Sequence, residues 1–221
     1  MIFEVAGLTV QVSGQCDFVS ALCADYICDA HHPQLTVELT CADPLSQSIE
    51  LLRQVNDRLI EQDTFLMHCS ALALDGDGYL FAAHSGTGKS THAAMWRRAF
   101  GDRVTMINDD KPFVRVSEDG AEVFGSPWMG KHNLGCNSSA KVKALCFLKR
   151  GECDRILPIS AEQALEYIFD QLPRYQKAEH TIRLLELVDK LLTTIPLYLL
   201  ECTPTPRAAQ VALDGMNGEK L

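Results

Sequence analysis

The sequence predicts an α/β fold in which a mixed sheet with β-hairpins gathers around a glycine-rich loop, and three observations carry that prediction. Residues 68–74 and 79–84 are apolar runs joined by Asp75-Gly76-Asp77-Gly78. Asp-Gly between two such runs signals a hairpin, because glycine supplies the positive φ that tight turns need. The second run leads straight into residues 83–91, Ala-His-Ser-Gly-Thr-Gly-Lys-Ser-Thr, followed by a helical pattern. Elsewhere, short β-rich runs alternate with stretches whose apolar residues recur every three or four positions, the mark of amphipathic helices.

Taken in order, residues 8–12 and 35–39 read as strands, punctuated by Pro33 and Pro44. From Ser46, Ile49, Leu52, Val55, Leu59 and Ile60 line one face of a predicted helix. After the glycine-rich loop, Ala93, Trp96 and Phe100 mark a helix that Gly101 ends, and residues 103–107 read as a strand running into Asn108-Asp109-Asp110-Lys111-Pro112. Residues 113–116 and 121–124 form a second hairpin, and residues 142–148 an apolar strand. Ser160-x-x-Gln163 is a capping box that opens a helix with Leu165, Ile168 and Phe169 predicted inward. Ile182, Leu185, Val188, Leu192 and Ile195 predict a longer buried helix, residues 196–202 a strand, and Thr205-Pro206 the start of a last helix. With no repeat and no Pro/Gly/Ser linker, one domain over residues 1–221 is expected, residues 1–65 packing as strands and a helix on the core.

Composition bounds the function classes. Twenty basic against 29 acidic residues leave a formal charge of −9, which argues against a nucleic-acid partner, since phosphate-backbone affinity needs many Lys and Arg contacts. At 47% hydrophobic and 22% charged the chain can bury a core. No run approaches the roughly 18–20 apolar residues of a membrane helix, and the start lacks a basic segment followed by an apolar one. A soluble, cytoplasmic protein with no membrane partner is the expectation. Nine cysteines, at 16, 23, 28, 41, 69, 136, 146, 153 and 202, are an odd and scattered set with no C-x-x-C pair, so reduced thiols are expected. Cys23, Cys28, His31 and His32 lie close enough to raise a zinc site, yet they lack the paired short spacings of structural zinc, and buried cysteine is the plainer reading. The Asp75/Asp77 turn lacks the further ligands of an EF-hand.

The chemistry sits in residues 83–91. Gly86 and Gly88 let consecutive N–H groups face one point, making a nest for polyphosphate oxygens. The following helix adds its positive end, equivalent to about half a charge. Lys89 is placed to reach terminal phosphates and the Ser90 hydroxyl to ligate Mg²⁺. The strict P-loop pattern has glycine where Ala83 stands. Taken alone, Asn-Asp-Asp-Lys-Pro suits a solvated turn. A βαβ unit, however, sets the end of its second strand beside the loop after its first, which brings Asp109 and Asp110 to the terminal phosphates. Neighbouring strand residues point oppositely, which suggests two jobs, one carboxylate as proton acceptor and the other on the metal.

Residues 68–116, with His-Cys-Ser-Ala-Leu-Ala-Leu, Ala-His-Ser-Gly-Thr-Gly-Lys-Ser-Thr and Ile-Asn-Asp-Asp-Lys-Pro, resemble the catalytic domain of HPr kinase/phosphorylase and, more distantly, the nucleotide site of ATP-dependent phosphoenolpyruvate carboxykinase. The resemblance implies that Ser85, Gly86, Thr87, Gly88, Lys89, Ser90 and Thr91 cradle ATP. It further implies that Lys89 contacts the transferred phosphoryl, that Ser90 and Asp110 hold Mg²⁺, that Asp109 is the base, and that His68 tunes it. The implied activity is an ATP-dependent phosphotransferase moving the γ-phosphoryl to a hydroxyl of a small molecule or a peptide serine. A non-catalytic nucleotide-sensing or peptide-handling partner and a carboxykinase-type enzyme are the alternatives.

The Glu-Ile/Val-Arg-Gly signature that follows the nucleotide site in HPr kinases has no counterpart, which argues against HPr as acceptor. In its place stands Gly125-Ser126-Pro127-Trp128-Met129-Gly130-Lys131-His132-Asn133. This segment reads either as a surface turn with Trp128 pinned in the core or as an acceptor-binding or phosphate-sensing loop carrying Lys131 and His132.

Overall fold

A computed structural model describes residues 1–14, 17–41 and 43–218. In chain order its elements are β1 (Ile2–Val5), β2 (Leu8–Ser13), α1 (Asp17–Leu22), β3 (Leu35–Glu38), α2 (Pro44–Leu59), β4 (Thr64–Leu66), β5 (Ser70–Leu74) and β6 (Asp77–Ala82). Then follow α3 (Lys89–Phe100), β7 (Val104–Asn108), β8 (Phe113–Ser117), β9 (Gly120–Phe124), β10 (Ser139–Arg150), β11 (Arg155–Pro158), α4 (Ala161–Ile168), α5 (Ala178–Thr194), β12 (Leu197–Cys202) and α6 (Pro206–Met216). Among the described residues, β1-β2-β3 form one sheet, and the second runs β4-β8-β9-β10-β6-β5-β7 with β12 pairing β10 and β11. No helix of the described residues is long and apolar enough to cross a membrane.

The sheet is mixed because two kinds of connection meet in it. Short turns make the antiparallel pairs β5–β6 and β8–β9, while β10 runs parallel to both β6 and β12. Alternation along the central strands then separates two apolar faces. Ala71, Ala73, Leu80, Ala82, Leu145 and Phe147 pack under α4 and α5. Leu72, Leu74, Tyr79, Phe81, Ala144 and Cys146 pack under α3 and α6, where Trp96 lies 5.0 Å from Tyr79 and 5.2 Å from Phe81 between ring centres.

β5 lies between β6 and β7 and is antiparallel to both, so β6 and β7 run parallel with α3 as their crossover. Their C-terminal ends therefore emerge on the same side of the sheet. This is the expected βα crossover with one strand inserted. β7 carries one extra residue between its pairings to Leu72 and Ala71, just before Asn108, and such a bulge re-aims the residues that follow it.

The helix faces differ from the apolar spacing. In α2 the buried residues are Gln47, Ser48, Leu51, Val55, Asn56 and Leu59, while Ile49 is exposed. The polar members stay buried because each is bonded: Gln47 Nε2 donates to the Cys41 carbonyl (2.7 Å), and Asn56 Oδ1 accepts from the Leu66 N–H and the Tyr175 hydroxyl (both 3.1 Å). The capping box at Ser160 and Gln163 is formed as predicted, but α4 turns Ala164 and Ile168 inward and leaves Leu165 and Phe169 exposed. In α5, Leu184, Leu187, Val188, Leu191 and Leu192 are buried, whereas Ile182 and Leu185 face outward.

The N-terminal sheet shares a core with Leu66, Phe113 and Trp128, along with Leu51, Val55 and Leu59 of α2. Trp128 sits edge-on to Phe113 at 6.4 Å, and its indole N–H donates to the Ser48 hydroxyl (3.0 Å). Of the two readings of residues 125–133, Trp128 follows the pinned one. Trp128→Ala should lower unfolding free energy by about 3–5 kcal/mol, measured by urea denaturation. A loss under about 1 kcal/mol would show that this ring is not the anchor of the segment.

Candidate functional site

Beyond Ala82 the backbone leaves the sheet, curls through residues 83–88 and enters α3 at Lys89. Gly86 has φ +79° and Gly88, at the helix N-cap, φ +122°, conformations that a side chain at Cβ disfavours. Gly88 offers α3 no side-chain cap, so the first-turn N–H groups keep their donor capacity. Arg150, at the end of β10, donates from Nε to the Thr87 carbonyl (3.2 Å) and from Nη2 to the Gly86 carbonyl. A trans peptide sets its N–H opposite its carbonyl, so the Gly88 N–H faces away from Arg150.

Lys89 folds back across this loop. Its side chain is buried and its ammonium donates to the Ala83 carbonyl at 2.8 Å. Burial pushes its pKa below the ordinary lysine value, with Cys69, Asp110 and Asp109 pulling the other way.

The end of β7 meets the loop. Asn108 is fully buried and holds four partners: its amide donates to the Ser126 carbonyl (3.0 Å) and hydroxyl (3.1 Å), and its Oδ1 accepts from the N–H groups of Asp110 (2.8 Å) and Lys111 (2.7 Å). Asp109 is nearly buried, accepts from the Ser70 hydroxyl, and donates its N–H to the Leu134 carbonyl (3.0 Å). Asp110 lies 3.3 Å from His68 Nε2 and pairs with the Lys111 ammonium. Burial would raise the Asp110 carboxyl, but hydrogen bonds from His68 and Lys111 outweigh it and hold its pKa below the usual carboxylate value.

A cavity of about 450 Å³ is lined by His68, Ser85, Gly86, Gly88, Lys89, Ser90, Thr91, Asp109, Asp110, Gly130, Lys131 and His132. Of the residues assigned in the sequence to nucleotide, metal, base or acceptor, Thr87 alone is missing from this lining; it lines the neighbouring cavity instead. Two placements differ from the sequence reading. His68 precedes β5, in the connection from β4, and Asp109 and Asp110 lie beyond the end of β7 instead of alternating along a strand. Both carboxylates therefore reach one cavity, and their different partners distinguish them. Gly130, at φ +70°, closes the wall: a Cβ there would stand 3.0 Å from the Asp110 Cβ.

Four residues that shape the site escaped the sequence reading. Asn108 stood only as part of the Asn-Asp-Asp-Lys-Pro turn and Ser126 only as part of the segment 125–133; Arg150 lies two residues beyond the predicted strand 142–148, and Ser70 is a small polar residue in an apolar run. A buried polar residue needs a partner, and for Ser70 that rule was the available signal. Elsewhere, Cys23 is buried in the N-terminal core, Cys28 is half-buried, and His31 and His32 are exposed. Among the described residues no group of three or more His, Cys, Asp or Glu side chains is placed to hold a metal ion on its own.

Residues 44–207 match the family described as SynChlorMet cassette protein ScmC. The chain belongs to the ScmC family. The whole cavity lining lies inside the matched region of this ScmC-family chain, whereas β1, β2 and β3 precede it. No curated protein matches the chain. A solved structure of the Hpr(Ser) kinase/phosphatase from Coxiella burnetii is similar at 12% identity and a TM-score of 0.36, over 69% of this chain and 93% of that one. That likeness is too distant to assign chemistry.

Asn108→Asp tests the polar frame. It keeps the Oδ1 acceptor but sets an oxygen against the Ser126 carbonyl, so it should cost about 1–3 kcal/mol in chemical denaturation and disturb the NMR signals of Asp109, Asp110 and Lys111. Wild-type stability with unshifted signals would show that the amide donor is dispensable.

Proposed function

We propose that this cavity takes Mg²⁺-ATP and that the chain is a phosphotransferase moving the γ-phosphoryl to a hydroxyl of a small molecule or a peptide serine. The observation that carries the reading is convergence. A glycine loop with a helix N-terminus, a buried lysine, and two carboxylates with different partners line one cavity from separate parts of the chain. Phosphoryl transfer needs positioning and charge stabilisation more than covalent help from the protein, and this set supplies both.

The donors suit Mg²⁺: the Ser90 hydroxyl and the Asp110 carboxylate are hard oxygens, and an ion that keeps waters and takes phosphate oxygens needs few protein ligands. Once bound, it would neutralise charge on the phosphate oxygens. The Gly88 N–H and the first turn of α3 receive the phosphates, and Lys89 meets the transferred group. Asp109 takes the acceptor hydroxyl proton as the new O–P bond forms and the bond to ADP breaks, while the Ser70 hydroxyl orients its carboxylate. His68 contacts Asp110, the metal carboxylate, at 3.3 Å and steadies it, in place of the tuning of Asp109 that the resemblance implied. Lys131 and His132, exposed in the lining beyond Gly130, face the acceptor.

Calorimetry and ³²P transfer to a panel of hydroxylated metabolites, serine peptides and HPr test the reading. One charge pair at ~4 Å with an effective dielectric near 20 is worth about 4 kcal/mol before desolvation, so Lys89→Ala should weaken Mg²⁺-ATP binding at least tenfold. Absence of ATP binding by the wild type would overturn the proposal. ATP binding without transfer to any acceptor would favour a nucleotide sensor.

Asp109→Asn should keep ATP affinity while cutting transfer about 100-fold or more, whereas Asp110→Asn should remove the Mg²⁺-dependent part of binding. Unchanged turnover in both would refute the division of roles. Lys131→Ala should raise the acceptor KM or lower kcat with ATP affinity unchanged; unaltered acceptor kinetics, or efficient labelling of HPr, would remove the acceptor role of residues 125–133.

A further inference from the structure

The loop has a second side. A cavity of about 350 Å³ is lined by Thr87, Thr91 and His92 together with Arg150, Gly151 and Thr203. Gly86, Gly88 and Thr91 line this cavity and the first one alike. The two cavities therefore adjoin at the loop. A third cavity, lined by Ala82, Phe147 and Tyr167 among others, shares Thr87 and Arg150 with the second but no lining residue with the first.

His92 supplies an independent pointer. It is 3% exposed, and its Nε2 accepts the Trp96 indole N–H at 2.9 Å. The accepting nitrogen carries no proton, so the neutral ring bears its hydrogen on Nδ1, and Nδ1 has no hydrogen-bond partner in the protein. Burial keeps the ring neutral, its pKa pushed down to about 4. A buried donor left unpaired costs about 1–3 kcal/mol, a cost that a ligand acceptor would relieve. In the same lining, the Arg150 guanidinium is fixed by the Gly86 and Thr87 carbonyls, and a fixed guanidinium offers a flat face for stacking.

We infer that this second cavity is the nucleoside site: the base lies against Arg150, and the His92 Nδ1–H donates to a ring nitrogen or a ribose oxygen. The inference rests on the Mg²⁺-ATP reading and adds where the nucleoside goes and which residues recognise it. Arg150 then serves twice, as the brace of the loop carbonyls and as a wall for the base. Cys202, the last residue of β12, and Pro204 beyond it complete the lining, so the strand ends of β10 and β12 hold the nucleoside while those of β6 and β7 hold the phosphates and carboxylates.

Calorimetry with Mg²⁺-ATP and with Mg²⁺-tripolyphosphate separates the two levels. The wild type should bind ATP at least tenfold more tightly than tripolyphosphate. His92→Phe, which keeps ring bulk and removes the donor, should weaken ATP about fivefold or more while leaving tripolyphosphate within twofold; the latter value also reports that the variant is folded. Photolabelling of the wild type with 8-azido-ATP, independent of any substitution, should mark the peptide containing residues 202–204, which line the second cavity and not the third. Binding of tripolyphosphate with no gain for ATP, or labelling at Phe147 and Tyr167 instead, would overturn the nucleoside site alone. Failure of both ligands to bind would overturn the Mg²⁺-ATP reading and this inference together.

Discussion

One buried amide governs the cavity. Asn108 has no solvent access, and its side chain bonds Ser126 on one side and the backbone of Asp110 and Lys111 on the other. The Ser126 hydroxyl in turn donates to the Lys111 carbonyl at 2.6 Å. Three segments, the end of β7, the turn after it and the loop after β9, thus become one rigid unit. In the interior a satisfied polar network rigidifies, whereas a half-satisfied one costs more than an apolar replacement. The directions of Asp109 and Asp110 follow from that network, not from the strand alternation that precedes them.

The glycine loop faces the same unit from α3, and its own order comes from outside. Arg150 holds two of its carbonyls, and the Lys89 ammonium holds the Ala83 carbonyl. Lys89 stands between two opposed effects, since burial disfavours its charge and the nearby carboxylates favour it. Such opposition keeps a cation positioned in a weakly hydrated place, where its field is screened less than at the surface. The chain as a whole carries −9, so any anion entering this cavity depends on the local donors.

Much of the architecture was legible because the strand and turn signals are local. The hairpins, the capping box, the cap and proline of the last helix and the loop-to-helix passage follow from residues a few positions apart. Helix faces were legible only in outline. Leu51 is buried and Ile49 exposed in α2, although both are apolar, because burial depends on which residue meets the neighbouring sheet. Gln47, Ser48 and Asn56 take inward places by bonding to Cys41, Trp128 and Leu66, partners that no spacing rule within the helix contains. In α5 the outward turn of Ile182 and Leu185 has the same origin.

Element types, the glycine loop with its lysine and the paired aspartates can be read from the chain because each is encoded in a short contiguous run. Tertiary structure decided what these runs do together. Inserting β5 between β6 and β7 makes those two strands parallel and brings their ends to one side, so His68, Lys89, Asp109, Asp110 and Lys131 line one cavity. Ser70, Arg150 and Ser126 acquire their roles only there. Their partners are 39, 63 and 15 positions away in the chain, and a hydrogen bond between distant residues exists only once the chain has closed the loop between them.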